Sequence, residues 1–260
     1  MDLPAFLINL DGSEARLRQA GAQLEAVGIA FQRVPAFDGR GLRIDEFPDY
    51  DHARAMAYMG RPLRGGEIGC YLSHLDCARR FLASDAVHGL VLEDDLQLVP
   101  GFGEGLAAVL DWLAAHPSGW DLVHLAPNTH KIFTTLHRFG ADGGTHALTR
   151  AHYFPMTTTA LLWSRPGAQA FVEGHRSIWA PVDNYLRHWQ TRADRGLAVW
   201  PPLVTTTGAE SEIADAGANR RSVAGRTRLY GLAKQRRLMV DKLIAFRHKT
   251  RARRTPAFSD

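Results

Sequence analysis

Glu93, Asp94 and Asp95 stand in a row at the end of the aliphatic run "GLVL", with Leu96 and Leu98 just beyond them. Carboxylates this close repel one another, and apolar neighbours deny them water. A divalent cation removes the conflict. Hard oxygen ligands suit Mg2+ or Mn2+, and such an ion keeps positions open for phosphate oxygens. Side chains alternate along an extended chain, so Glu93 and Asp95 are expected to point one way and Asp94 the other. The triplet alone also fits two plainer roles, capping the helix that starts near Gly103 or pairing with an arginine.

Other polar residues hold comparable places. Asn9 and Asp11 follow the apolar run "AFLINL" and precede a helix start, where phosphate is attracted, and Arg16 and Arg18 add positive charge. "GGEIGCYLSHL" carries Glu67, Ser73 and His74, with His74 one helical turn after Cys70. Its Gly66 and Gly69 permit close approach of backbone to a ligand. Asp183 in "PVDNYL" opens a helix and can serve as its N-cap. His130, His137, His146 and His152 are spaced by 7, 9 and 6, which does not match a compact zinc module, so they read as loop residues.

The elements that must position these groups follow from periodicity. Ala5–Leu10 reads as a buried strand, broken by Asp11-Gly12-Ser13. "EARLRQAGAQLEAVG" then has Leu17, Leu24 and Val27 at helical spacing, and "IAFQRV" is a second strand. This β-α-β opening predicts a parallel sheet with helices on its faces. Further helices are predicted in "EIGCYLSHLDCARRFLAS", "FGEGLAAVLDWLAAHP", "RPGAQAFVEGHRS" and "APVDNYLRHWQTRAD". Further strands are predicted in "HGLVLE", "WDLVHLAP", "TTTALLWS" and "GLAVWPPLV". Residues 38–66 read as loop and short helix, and 127–156 as loops with a hairpin. In an open α/β sheet, ligands bind beyond the carboxyl ends of the strands, which is where "GLVL" delivers the triplet.

The totals set limits. A chain of 260 residues with 45% hydrophobic and 22% charged residues can bury a sizeable core without staples. Cys70 and Cys77 lie too far apart along one helix for a disulfide, which suggests a reducing, cytoplasmic setting. "MDLPAFLINL" lacks the basic region and long apolar core of a signal peptide, and no run approaches a membrane span. From Asn219 to Asp260 there are thirteen Lys or Arg against two Asp, a net of +11 that leaves −7 for the preceding residues. The chain therefore divides into a body, residues 1–215, and a basic tail, 216–260. Leu229, Leu232, Val240, Leu243, Ile244 and Phe246 punctuate that tail. It reads as an amphipathic helix for an anionic membrane surface, with packing on the body as the alternative. Its aromatics are too few for a nucleic-acid platform.

Six segments, "FLINLDGSEARL", "GEIGCYLSHLDCAR", "GLVLEDDLQL", "TTTALLWSRPGAQAF", "PVDNYL" and "PPLV", occur in an order and spacing that resemble glycosyltransferase family 25. They cover most of Ala5–Ile213. The family includes lipooligosaccharide sugar transferases and collagen galactosyltransferase domains. The resemblance implies a GT-A type, Rossmann-like fold: a mixed, mostly parallel sheet flanked by helices, with a nucleotide-sugar site at its carboxyl edge. The triplet is similar to the family's DxD motif, so Asp95 would contact Mn2+ or Mg2+ directly and Glu93 would help hold the metal or the ribose. Asn9, Asp11, Arg16, Ser73, His74, Asp94 and Ser211 would contact or wall the donor. The histidines of 127–156 would lie toward the acceptor. Threonines 205–207 depart from the family's pattern, standing where a Gln is expected. An inverting transfer needs one carboxylate opposite the leaving group, a part given to Asp183, with Asp194, Asp121 and Glu210 as rivals. The implied reaction moves a hexose, galactose from UDP-galactose, onto a saccharide such as a lipooligosaccharide core. A metal-dependent phosphohydrolase and a non-catalytic nucleotide-sugar-binding protein are the alternatives.

Overall fold

The apolar run at the start of the chain is buried along its whole length and forms strand β1 (Ala5–Asn9). Helix α1 (Glu14–Ala26) and strand β2 (Phe31–Pro35) complete the predicted β-α-β unit, with β1 and β2 parallel. The structure is a computed structural model that describes residues 3–41, 43–44, 47–140, 145–207 and 230–254. After β2 come α2 (His52–Met59), α3 (Gly65–Leu82), β3 (His88–Glu93), β4 (Leu96–Leu98), α4 (Phe102–Ala115) and β5 (Leu122–His124). A hairpin of β6 (Phe133–Phe139) and β7 (His146–Ala151) precedes β8 (Ala160–Ser164), α5 (Arg165–Gly174) and α6 (Val182–Ala193). The described chain closes with β9 (Gly196–Trp200), β10 (Val204–Thr206) and α7 (Tyr230–Arg254).

Eight strands form one sheet in the order β2-β1-β3-β8-β5-β9-β7-β6, so the fold is α/β as expected. Tracing each pairing in turn gives six strands running one way, with β8 and β7 reversed. The sheet is therefore mixed but mostly parallel in direction. "GLAVWPPLV" is not one strand. It divides at the prolines into β9, inside the sheet, and β10, which pairs antiparallel with β4 in a separate ribbon.

Alternation along the strands feeds two apolar layers. Phe6, Ile8, Val91, Leu161 and Trp163 face the layer filled by Ile68, Tyr71, Leu75 and Ala78 of α3, together with Phe171 and Leu186. Ala5, Leu7, Leu90, Leu92 and Leu162 face the layer filled by Leu24, Leu106, Val109 and Leu113. Each fully buried side chain of this kind contributes about 1.5–3 kcal/mol, and together they fix where the carboxyl edge of the sheet lies.

Two regions left open by periodicity are ordered. Of the histidines of 127–156, His137 and His146 belong to the β6–β7 hairpin, while His130 and His152 lie just outside its strands. His130 stacks on Phe133 and Trp200, His137 and His146 stack on Phe139, and buried His152 bonds Thr134 and Asp194. In the basic segment, α7 packs against α2, α6 and β6. Asp241 and Ala245 are buried there, Arg192 bonds Asp241 at 2.9 Å, and Arg237 donates to the Tyr58 carbonyl. Among the described residues no helix is long and apolar enough to cross a membrane.

His124 couples two chain segments at the edge of the sheet. Its Nε2 donates to the carbonyls of Met156 and Thr157, and its Nδ1 accepts from the Ala126 amide. Burial pushes its pKa down to about 4. The unfolded chain then binds the proton more readily between pH 6.5 and 4, so stability falls as pH is lowered through that window. Urea unfolding is expected to lose about 3 kcal/mol to this residue between the two pH values. His124→Gln is expected to flatten that slope.

Candidate functional site

Strand β3 ends at Glu93, and Asp94 and Asp95 occupy the turn that leads into β4. The division of the triplet survives although the strand stops short. Glu93 and Asp95 line two neighbouring cavities in common, whereas Asp94 lines only one. Asp94 accepts from the Asn9 amide at 2.7 Å and pairs with Arg16 at 3.5 Å, the arginine partner expected of it. The capping role goes elsewhere: the N-cap of α4 is Gly101.

Glu93 is held from two other elements. His74 of α3 meets its Oε1 at 2.9 Å, and Thr158, just before β8, donates to the same oxygen at 2.6 Å. A carboxylate only accepts, so His74 Nε2 carries the hydrogen. Burial raises the Glu93 pKa, but the bonds from His74 and Thr158 outweigh it and hold the carboxyl below the usual range. Among the described residues Asp95 meets no such side-chain donor. Burial, followed by the charge of Glu93, pushes its pKa up to about 6, and its Oδ1 is buried with no hydrogen-bond partner among the described residues.

The first cavity, about 120 Å³, is lined by Arg16, Phe37–Arg40, Gly66, Cys70, Ser73 and the acidic triplet. Its covering segment is fixed by close backbone approach. Ser73 Oγ accepts from the Phe37 amide, and a Cβ on Gly69 would run into the Phe37 carbonyl. Gly69 thus admits neighbouring backbone, where a ligand contact was expected. The second cavity, about 360 Å³, brings Glu93 and Asp95 together with Glu67, Thr157–Thr159 and Asp183.

Asp183 is not an N-cap, because Pro181 holds that position in α6. Its Oδ1 accepts from the amide and side chain of Asn184. Burial raises its pKa, against the lowering effect of those two bonds. An elevated carboxylate pKa beside a cavity suits proton abstraction. The rivals are engaged elsewhere: Asp194 bonds His152 and Asp121 bonds Arg195. Glu210 and Ser211 lie outside the described residues.

Three expectations change. Asn9 lines neither cavity, since its buried amide bonds Asp94, the Ser13 carbonyl and Arg33. Asp11 is exposed and bonds Arg33. Neither residue is among those lining the two cavities. His74 is buried behind Glu93, where it orients that carboxylate and does not wall the cavity. Sequence reading missed Cys70 and Thr158 as site residues. Cys70 had been weighed only for a disulfide, yet it lines both cavities. Its i, i+4 relation to His74 was the available signal.

The donor chemistry fits a hard divalent cation. Cys70, His74 and Glu93 offer ligand atoms within 4.8 Å of one another. Burial, together with the charges of Glu93 and Asp183, holds the Cys70 thiol well above its usual pKa, which disfavours the ligating thiolate. His74 is committed to orienting Glu93. What remains is oxygen, from Glu93 and from Asp95 Oδ1, which has no hydrogen-bond partner among the described residues.

Residues 2–186 match the model of "Glycosyltransferase family 25 (LPS biosynthesis protein)". A "Glycosyltransferase 25 family member" of Aedes aegypti is 35% identical over 190 residues, 70% of this chain and 30% of that protein. "Procollagen galactosyltransferase 1" of Danio rerio is 29% identical, covering 78% of this chain and 36% of its own length. "Inactive glycosyltransferase 25 family member 3" of Homo sapiens is 31% identical over 46% of this chain and 21% of that protein. The chain thus spans roughly a fifth to two fifths of the length of the curated relatives it matches. Among solved structures, a glycosyltransferase involved in glycosylation of the PBCV-1 major capsid aligns at a TM-score of 0.40 and 10% identity. That alignment covers 92% of this chain and 100% of the other.

Asn9→Ala leaves Asp94, Arg33 and the Ser13 carbonyl without their shared partner. It is expected to cost about 2–3 kcal/mol in chemical denaturation, with Asn9→Asp no better because a second charge then faces Asp94.

Proposed function

Because the chain belongs to glycosyltransferase family 25, we propose that it transfers a hexose from a nucleotide sugar to a saccharide acceptor in a metal-dependent, inverting reaction of the GT-A type. One observation carries the reading: Glu93 and Asp95 sit on the wall common to two cavities, and Asp183 lines the second of them. In this reading the first cavity takes the donor and the second the acceptor. Galactose from UDP-galactose is the donor we favour, on the strength of the relative from Danio rerio, and a lipooligosaccharide-type core is the acceptor.

Lewis acidity toward the departing diphosphate is what bound Mn2+ or Mg2+ supplies. Asp95 Oδ1 and Glu93 would hold the ion. His74 and Thr158 keep Glu93 ionised and aimed. Arg16, anchored to Asp94, sets positive charge at the donor cavity. Asp183 removes the proton from the acceptor hydroxyl, and burial, by raising its pKa, makes it a stronger base than an ordinary carboxylate.

A panel of nucleotide sugars, assayed with Mn2+ for nucleotide release with and without acceptor, tests the proposal. Acceptor-dependent release from at least one donor is expected. Acceptor-independent release of phosphate would identify a phosphohydrolase instead, and donor binding with no turnover would identify a binding protein. Asp95→Asn and Asp183→Asn are each expected to lower kcat by about 10²–10⁴-fold. Asp94→Asn keeps a bond to Asn9 and is expected to cost about tenfold. Equal losses at Asp94 and Asp95 would contradict the division of the triplet.

We further infer that α7 rests on an anionic membrane surface facing the cytoplasm. Leu232, Met239, Leu243 and Phe246 are exposed and fall on one stripe of the helix, between Arg236 and Arg247 on one side and Lys242 on the other. Leu243→Gln with Phe246→Gln is expected to weaken sedimentation with phosphatidylglycerol vesicles about tenfold or more. Unchanged sedimentation would discard the membrane role.

A further inference from the structure

A third cavity, of about 330 Å³, opens between α2, α6 and α7 and shares no lining residue with the two cavities of the candidate site. Arg54, Arg192, Arg236 and Arg237 line it, and among the described residues no carboxylate does. Arg192 is paired with Asp241 at 2.9 Å. The other three guanidiniums have no carboxylate partner among the described residues. Two of them lie over aromatic rings: Arg54 4.1 Å from the centre of Trp179 and Arg237 4.7 Å from that of Tyr58. His188 adds a buried Nδ1 with no hydrogen-bond partner among the described residues.

Like charges converging on one cavity repel each other. Arg237 spends its Nη1 on the Tyr58 carbonyl and Met59 Sδ, while stacking on Trp179 preorganises Arg54 and leaves its planar fork of donors for an anion. That fork matches phosphate oxygens two at a time. The volume falls within the range of small-molecule sites and suits a compact anion with a modest carbon frame. The walls contrast with those of the acceptor cavity, where Glu67, Glu93, Asp95 and Asp183 gather and, among the described residues, no cationic side chain lines the cavity, Arg61 pairing with Glu67 from outside it.

We propose that the α2–α6–α7 cavity is a phosphate-binding site that takes a phosphomonoester, carried either by a soluble sugar or by a lipid headgroup. Arg54, Arg236 and Arg237 grip the phosphoryl oxygens, and the exposed edge of the cavity admits the rest of the ligand. The site does not depend on the transfer reaction, so its test requires no turnover.

Glucose 6-phosphate is titrated into the whole chain by calorimetry, with glucose as the control. Vesicles of phosphatidylcholine with and without phosphatidic acid form the second arm. Binding of glucose 6-phosphate but not glucose supports a soluble sugar phosphate. Phosphatidic-acid-dependent binding alone supports a lipid phosphate, provided it too depends on Arg54. Arg54→Gln with Arg236→Gln is expected to weaken the productive arm by about tenfold or more. Asp95→Asn is expected to leave it unchanged, which separates this site from the donor cavity. Both arginines are exposed, so the double variant is expected to fold, and Arg236→Gln alone serves if it does not. Binding in neither arm, or binding indifferent to the arginines, overturns the proposal.

Discussion

A carboxylate drawn into a protein interior needs hydrogen-bond donors, and the site is organised around meeting that need at Glu93. Its Oε1 collects His74 from α3 and Thr158 from the lead-in to β8. The two contacts tie a helix and the start of the neighbouring strand β8 to the end of β3, so these parts of the cavity wall are coupled. Cys70, one turn before His74, is carried into the wall by the same helix. Thr157, next to Thr158, adopts a positive φ of 75°, an arrangement that costs a β-branched residue about 1–3 kcal/mol. The bonds to His124 on either side of the Met156–Thr157 peptide hold that conformation in place.

Much of the scaffold was legible because it follows from periodicity. The opening β-α-β unit, α3, α4, β3 and α6 all rest on apolar spacing that the folded layers reproduce. The acidic triplet was legible as a conflict of charge and burial, and alternation sets Asp94 apart from its neighbours without choosing its partners, Asn9 and Arg16. The direction of β8 was not legible, because an apolar run carries no sign of which way its neighbours point. Nor was the role of Asn9. An amide at a strand end reads the same whether it meets a ligand or three protein groups, and only the tertiary positions of Arg33 and Asp94 decide. Asp183 was misplaced by two positions relative to its cap because Pro181, with its fixed φ, starts the helix earlier.

Charge is segregated along α6. Its first turn presents Asp183 to the acidic cavity, while His188 and Arg192 farther along border the basic one. The rise of a helix puts these two ends roughly 7–14 Å apart. The Arg192–Asp241 pair links α6 to α7, a basic helix laid against a body of opposite net charge. Long-range attraction therefore favours the docked helix, and the specific contacts of Arg237 with Tyr58 set where it comes to rest.

The reversal of β8 has a consequence for assembly. Because β8 runs against β3 and β5, its beginning, not its end, lies at the carboxyl edge, and that places Thr158 beside Glu93. The site is thereby stitched from chain positions more than a hundred residues apart, from His74 to Asp183. Contacts of such separation form late, after loop closure has been overcome. A chain that has completed only its first β-α-β unit therefore lacks any cavity that brings these carboxylates together, and α3 too waits for α5 and α6 to cover it. The site requires β8 in place between β3 and β5.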